Sequence, residues 1–193
     1  MKARAIWLVL LLVAVGPSWA DEEPEPTPRG YRDREISVVL DTCGHVDPDT
    51  FREMAPMVSR LLFDLKLMDE ARHEAFTGVH NRWIRENLRW VGDGCGGGPC
   101  PALTVRIPLI PGVNDDDENL SATAKFLLGL GKRPPVDLLP YHRLGVEKYH
   151  RMGRAYRLSQ VTPPPKGSIR NAVRVLEGAG LSVTVRGERY GDD

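Results

Sequence analysis

With 193 residues, 41% of them hydrophobic and 27% charged, the chain can build one sizeable core and is not disordered throughout. Lysine plus arginine and aspartate plus glutamate stand at 26 each, so a formal charge of zero gives no footing to nucleic acid or an anionic membrane as a partner. Three cysteines, Cys43, Cys95 and Cys100, exclude a disulfide-dense scaffold.

The first twenty residues stand apart from the rest. Lys2 and Arg4 precede the apolar run Ile6 to Gly16, and Ser18-Trp19-Ala20 supplies small residues where a signal peptidase would cut. The run is too short for a stable membrane span. Residues 1–20 therefore read as a signal-peptide-like segment, the alternative being a wrong start site or a frameshifted join. Residues 21–35 are acidic and proline-rich and predict an extended tether.

From residue 36 to 187 short apolar strands alternate with amphipathic helices. Ile36 to Leu40 is a β-branched strand, followed by a turn at Asp41-Thr42-Cys43-Gly44. Asp47 as N-cap and Pro48 at the first position predict a helix toward Met54, which Pro56 ends or bends. Leu61 to Phe63 is a second strand that runs into Asp64-Leu65-Lys66. Helices are expected from Asp69 to Phe76 and, capped by Asn81, from Arg82 to Trp90. The glycine-rich loop Gly92 to Pro101 leads to a strand from Leu103 to Ile110.

Asp115, Asp116, Asp117 and Glu118 read as the acidic start of a helix reaching Leu130, because free N–H groups and the helix dipole favour acid there over a metal site. Val136 to Leu139 is a fourth strand, leading straight into Pro140-Tyr141-His142. A last helix, Ser168 to Ala179 with Gly180 as C-cap, precedes a strand from Leu181 to Arg186, and residues 188–193 form a tail. The order predicts an α/β fold, a parallel sheet with helical crossovers.

Polar residues gather at the C-terminal ends of these strands, where folds of this class bind ligands: Asp41 and Thr42, Asp64 and Lys66, Arg106, and His142. Such a set suits a zwitterion, with Lys66 or Arg106 for a carboxylate and an aspartate for an ammonium or for ribose hydroxyls. The two aspartates could also share a cation with backbone oxygens. His45, His73, His80 and His150 lack metal-ligand spacing and read as surface residues. Cys95 and Cys100 would pair in an oxidising compartment and remain thiols in a reducing one.

Several stretches, taken together, resemble one family. These are Leu40-Asp41-Thr42-Cys43-Gly44, Phe63-Asp64-Leu65-Lys66, Gly78-Val79 with Asn81, and Arg106 through Asp115 with its Ile-Pro-Leu-Ile-Pro-Gly-Val-Asn core. Leu138 through Gly145, Lys148-Tyr149, Met152-Gly153 and Tyr156 follow in order. The series, covering about residues 36 to 186, is similar to the pyruvate formate-lyase activating enzyme family of the radical S-adenosylmethionine superfamily. The resemblance implies a (β/α)6 barrel that cleaves S-adenosylmethionine at a 4Fe–4S cluster and installs a radical on a glycine of a partner, a glycyl-radical enzyme. It further implies that Asp41, Thr42 and Asp64 bind a monovalent cation, and that Asp41, Asp64, Lys66, Arg106 and His142 bind S-adenosylmethionine.

One departure limits what the resemblance can carry. The family's Cys-x-x-x-Cys-x-x-Cys motif and its Gly-Gly-Glu motif are absent from these residues, and a signal-like segment and a tether stand where the first two β/α units belong. The expected fold is thus an incomplete barrel without iron–sulfur ligands and catalytically silent by itself. Either it is the C-terminal part of a cytoplasmic activase, or it is an exported binding or structural module derived from that fold.

Overall fold

The computed structural model describes residues 37–143, 146, 151–153, 156 and 158–191; the signal-like segment, the tether, Ile36 and His150 lie outside them. Five strands form one sheet in sequence order, every neighbour parallel. They are β1 (Val39–Thr42), β2 (Arg60–Asp64), β3 (Ala102–Leu109), β4 (Val136–Pro140) and β5 (Val183–Val185). The described helices in the crossovers are α1 (Pro48–Met54), α2 (Glu70–Thr77), α3 (Arg82–Gly92), α4 (Asp117–Leu128) and α5 (Lys166–Gly178).

Local chemistry sets the helix ends. Asp47 accepts from the Thr50 N–H ahead of Pro48, and past Met54 the chain tightens into a 3-10 turn, Ala55–Met57, that carries Pro56. Asp69 accepts from the Arg72 N–H to start α2, and Gly78 in the left-handed region ends it. Asp116 accepts from the Asn119 N–H while Asp117 and Glu118 fill the first turn of α4, so the acidic run serves that helix start. Gly180, at φ +98°, lets the Leu181 N–H return to the Leu176 carbonyl at 3.2 Å.

Strand alternation then divides the sheet into two unlike faces. Leu40, Leu61, Phe63, Val105, Ile107, Leu138 and Val183 share one face by register, and all are buried. They form one continuous core with Phe51 of α1, Leu88 of α3, Leu120 and Leu127 of α4, and Leu176 of α5. The alternate positions, Asp41, Leu62, Asp64, Thr104, Arg106, Pro108, Asp137, Leu139 and Thr184, are only half-buried. The helices that build the core therefore cover one face, and a mixed polar and apolar face is left on the other.

β1 begins and ends later than the hydrophobic pattern predicts. Asp41 and Thr42, expected in a turn, lie within the strand because they pair with Leu62 and Phe63. That pairing delivers Asp41 to the face opposite the core.

Candidate functional site

Asp64 is the last residue of β2 and stands directly opposite Arg106 of β3 in the ladder. Parallel register puts both side chains on the face opposite the core, together with Asp41 from β1. The Arg106 guanidinium donates through Nε and Nη2 to Asp64 Oδ1, at 3.0 and 2.9 Å, and Nη2 donates as well to Asp41 Oδ1. Lys66, two residues past β2, places Nζ 3.4 Å from Asp64 Oδ2. One guanidinium thus ties three adjacent strands together where their C-terminal ends meet, and a second cation stands at the margin.

The balance of this cluster is two acids against two bases. Side-chain exposures of 17% for Arg106, 22% for Asp41 and 21% for Asp64 leave it open to a ligand from one side. Partial burial pushes the Asp41 carboxyl above its ordinary range; the Asp64 charge adds to that, and Arg106 offsets it only in part. For Arg106, burial works against the charge, but the two carboxylates outweigh it and hold the proton more tightly. A neutral cluster of this kind can exchange internal pairs for pairs with a zwitterion at little net electrostatic cost, which a bare cation patch could not do.

The remaining sequence-predicted residues are placed differently. Thr42 pairs with Phe63, on the helix-side register, and its hydroxyl accepts from the Gly44 N–H at 2.9 Å. His142 lies just past β4, exposed, and takes no part in the ion-pair cluster. His45 and His80 are exposed as expected, but His73 is not a surface residue. It is 3% exposed on α2, its Nδ1 within 2.8 Å of the Val79 carbonyl, and burial pushes its pKa below the ordinary value. The amphipathic pattern of α2 is too weak to mark which side faces inward, and the signal that remained was Gly78, which turns the chain back over His73.

Buried asparagines escape a search for charged clusters, and four of them hold the loops that carry this site. Asn87 donates to the Gly44 and Val46 carbonyls at 2.9 Å each, fixing the loop after β1. Asn81, expected as a cap, sits at the N-cap position without capping; its amide donates instead to Leu67 and Met68 carbonyls at 3.0 and 2.9 Å. Asn114 and Asn119 join the loop after β2 to the loop after β3. Beside them lies a mainly apolar cavity of about 280 Å³ lined by Lys66, Leu67, Phe76, Ile110, Val113 and Leu158 among others.

The cysteines do not converge. Cys43 follows β1 at the site end, whereas Cys95 and Cys100 are joined as a disulfide in the loop that enters β3 from the opposite end. Among the described residues no group of three or more His, Cys, Asp or Glu could hold a metal ion, so these side chains do not fit a 4Fe–4S cluster. No helix among them is long and apolar enough to cross a membrane.

No family model matches the chain. It is 40% identical over 136 residues to the isethionate sulfite-lyase activating enzyme of Desulfovibrio desulfuricans, covering 69% of this chain and 42% of that protein. It is 32% identical over 158 residues to the trans-4-hydroxy-L-proline dehydratase activating enzyme of Clostridioides difficile, covering 81% and 50%. With the pyruvate formate-lyase 1-activating enzyme of Escherichia coli it shares 30% identity over 158 residues, covering 80% and 62%. A crystal structure of a domain of a pyruvate-formate lyase-activating enzyme from Bacteroides vulgatus superposes with a TM-score of 0.66 at 28% identity, covering 82% of this chain and 86% of that one. The chain spans about half the length of the curated relatives it matches, from 42% to 62% in these three. Over most of its length, therefore, this chain is a homologue of the glycyl-radical-enzyme activating enzymes.

Proposed function

We propose that this chain carries the S-adenosylmethionine-binding, C-terminal part of a glycyl-radical-enzyme activase. On this reading residues 36–187 are an incomplete (β/α) barrel lacking the first two β/α units of a (β/α)6 radical S-adenosylmethionine barrel. The observation that carries the proposal is the Asp41–Arg106–Asp64–Lys66 cluster at the C-terminal ends of three adjacent strands, on the face opposite the described core helices. Parallel sheets are covered on both faces, so a half-buried polar face fits the lining of a barrel interior better than a surface left to water.

Each side chain then has a task. Lys66 and Arg106 meet the carboxylate and sugar of S-adenosylmethionine, Asp41 and Asp64 meet its ammonium and hydroxyls, and His142 borders the base. Asp41 and Asp64 share a monovalent cation with Thr42, which contributes its backbone carbonyl because its side chain lies on the other face; the cation's charge would stabilise the ionised form of Asp41 against the desolvation that raises its pKa. In this family S-adenosylmethionine supplies the hydrogen-abstracting chemistry that activates a glycyl-radical partner. No step of that chemistry is assigned to this chain, because its cysteines do not gather into a cluster site. Alone, it binds and orients; it does not react. An activase of this kind works in the cytoplasm.

The test is anaerobic reconstitution of the full chain with iron and sulfide. We expect no stoichiometric 4Fe–4S absorption and no cleavage of S-adenosylmethionine. A stable cluster with turnover would overturn the inactivity of the isolated chain.

One observation favours a second reading, an exported module without catalysis: the disulfide between Cys95 and Cys100 belongs to an oxidising compartment. Thiol labelling of the chain as isolated from its host separates the two. Free Cys95 and Cys100 support the activase; a protected pair and cleavage after Ala20, within the signal-like residues 1–20 that precede the tether, support export.

A further inference from the structure

The β2–β3 ladder stops short of the residue the site most needs to hold. Its last backbone rung is Leu65 N–H to Arg106 carbonyl at 2.9 Å. The next rung of a parallel ladder would come from the N–H of residue 108, but Pro108 has none. That N–H would have met the Leu65 carbonyl, so the ladder ends one residue before Lys66.

A side chain stands in the gap. Asn114, fully buried at 0% exposure, donates from Nδ2 to both the Lys66 carbonyl at 2.9 Å and the Pro108 carbonyl at 2.6 Å. Its Oδ1 accepts the Ile110 N–H at 2.8 Å, so both amide hydrogens and the oxygen are used. Asn119 supports it from α4, donating to the Asn114 carbonyl at 3.0 Å and accepting the Met68 N–H at 3.0 Å. The carboxamide thus ties the chain after β2 to β3 just past the point where the proline ends their ladder.

We propose that Asn114 is a positioning residue for ligand binding: by tying the Lys66 carbonyl to the Pro108 carbonyl and the Ile110 N–H just past the end of the ladder, it fixes the Lys66 backbone, and so the ammonium, beside the Asp64–Arg106 pair. The inference rests on the reading of this cluster as an S-adenosylmethionine site, but its geometry can be tested independently. Substitution of a backbone-tethering carboxamide frees the loop without altering any group that would touch the ligand.

The experiment uses the full chain and two variants, Asn114→Ala and Asn114→Ser, with Leu176→Ala in α5 as a remote core change that lowers stability by cavity formation. Hydrogen exchange is followed by NMR, and S-adenosylmethionine binding by calorimetry. In wild type the Ile110 and Met68 amides should exchange as slowly as the Leu65 rung. In the Asn114 variants, exchange at Lys66 to Met68 should quicken about tenfold and affinity should fall about tenfold, each equivalent to about 1.4 kcal/mol. Leu176→Ala should lower Tm with affinity unchanged.

Fast Ile110 and Met68 exchange in wild type would overturn the proposal even if neither Asn114 variant folds. So would unaltered exchange in a folded variant, or looser exchange with affinity intact. If wild type takes up no S-adenosylmethionine, the functional reading fails, and exchange alone decides whether Asn114 holds the Lys66 loop.

Discussion

Arg106 is where the site and the fold depend on the same atoms. Its guanidinium neutralises two carboxylates that parallel register forces onto one face, so removing it leaves Lys66 alone to offset Asp41 and Asp64. We expect Arg106→Met to cost about 2–3 kcal/mol in urea unfolding at neutral pH, below the range for a fully buried pair because water reaches the cluster. A carboxylate held above its ordinary pKa favours folding on the acid side and weakens it as pH rises. The deficit of Arg106→Met should accordingly shrink on acidification, and Asp41→Asn in the same background should restore part of the loss. His73 has the opposite linkage. Burial lowers its pKa, with Lys66, His45 and His80 adding to the effect, so the folded chain resists a proton that the unfolded chain takes up near 6.5. Stability from this residue is full above that value, falls as pH drops below it, and levels off beneath the folded pKa. Urea midpoints at about pH 7.5 and about pH 5.5 should show the slope in wild type and a flatter response in His73→Asn, which keeps a donor for the Val79 carbonyl.

At the scale of elements, the loop after β1 is tightly constrained. Gly44 has φ +66°, and a Cβ there would lie 2.3 Å from Cζ of the buried Phe63 ring. Gly44→Ala should therefore destabilise by about 2 kcal/mol or more, from backbone strain and from displacement of a core aromatic. A Tm close to wild type would show that the loop can move off Phe63. Strand and helix order was readable in the sequence because its signals are local: Asp47-Pro48, Asp69 and Gly78, Asp116, and the alternating apolar strands. Asp41, Asp64, Lys66 and Arg106 were legible as a group, since polar residues at the C-terminal ends of successive parallel strands must be neighbours. Their internal pairing was not, because which strand stands beside which is a property of the sheet. The asparagines stayed hidden for a related reason. Asn81 and Asn114 satisfy carbonyls 14 and 48 residues away, and no local pattern announces such partners.

Across the whole molecule the decisive feature is a parallel sheet with a helix-covered face and a polar face. The core joins all but α2 of the described helices to one side of the strands, and the ion-pair cluster occupies the other. On the proposed reading that second face binds S-adenosylmethionine, while Cys43 stands apart from the Cys95–Cys100 pair. Binding and radical generation are separable on this account. The most direct test is therefore a calorimetric titration of the full chain with S-adenosylmethionine, without iron, alongside Lys66→Met and Asp64→Asn. The account predicts saturable one-site binding in wild type and a loss of about tenfold or more in affinity in each variant. Absence of saturable binding in wild type, or equal binding in all three proteins, would contradict it.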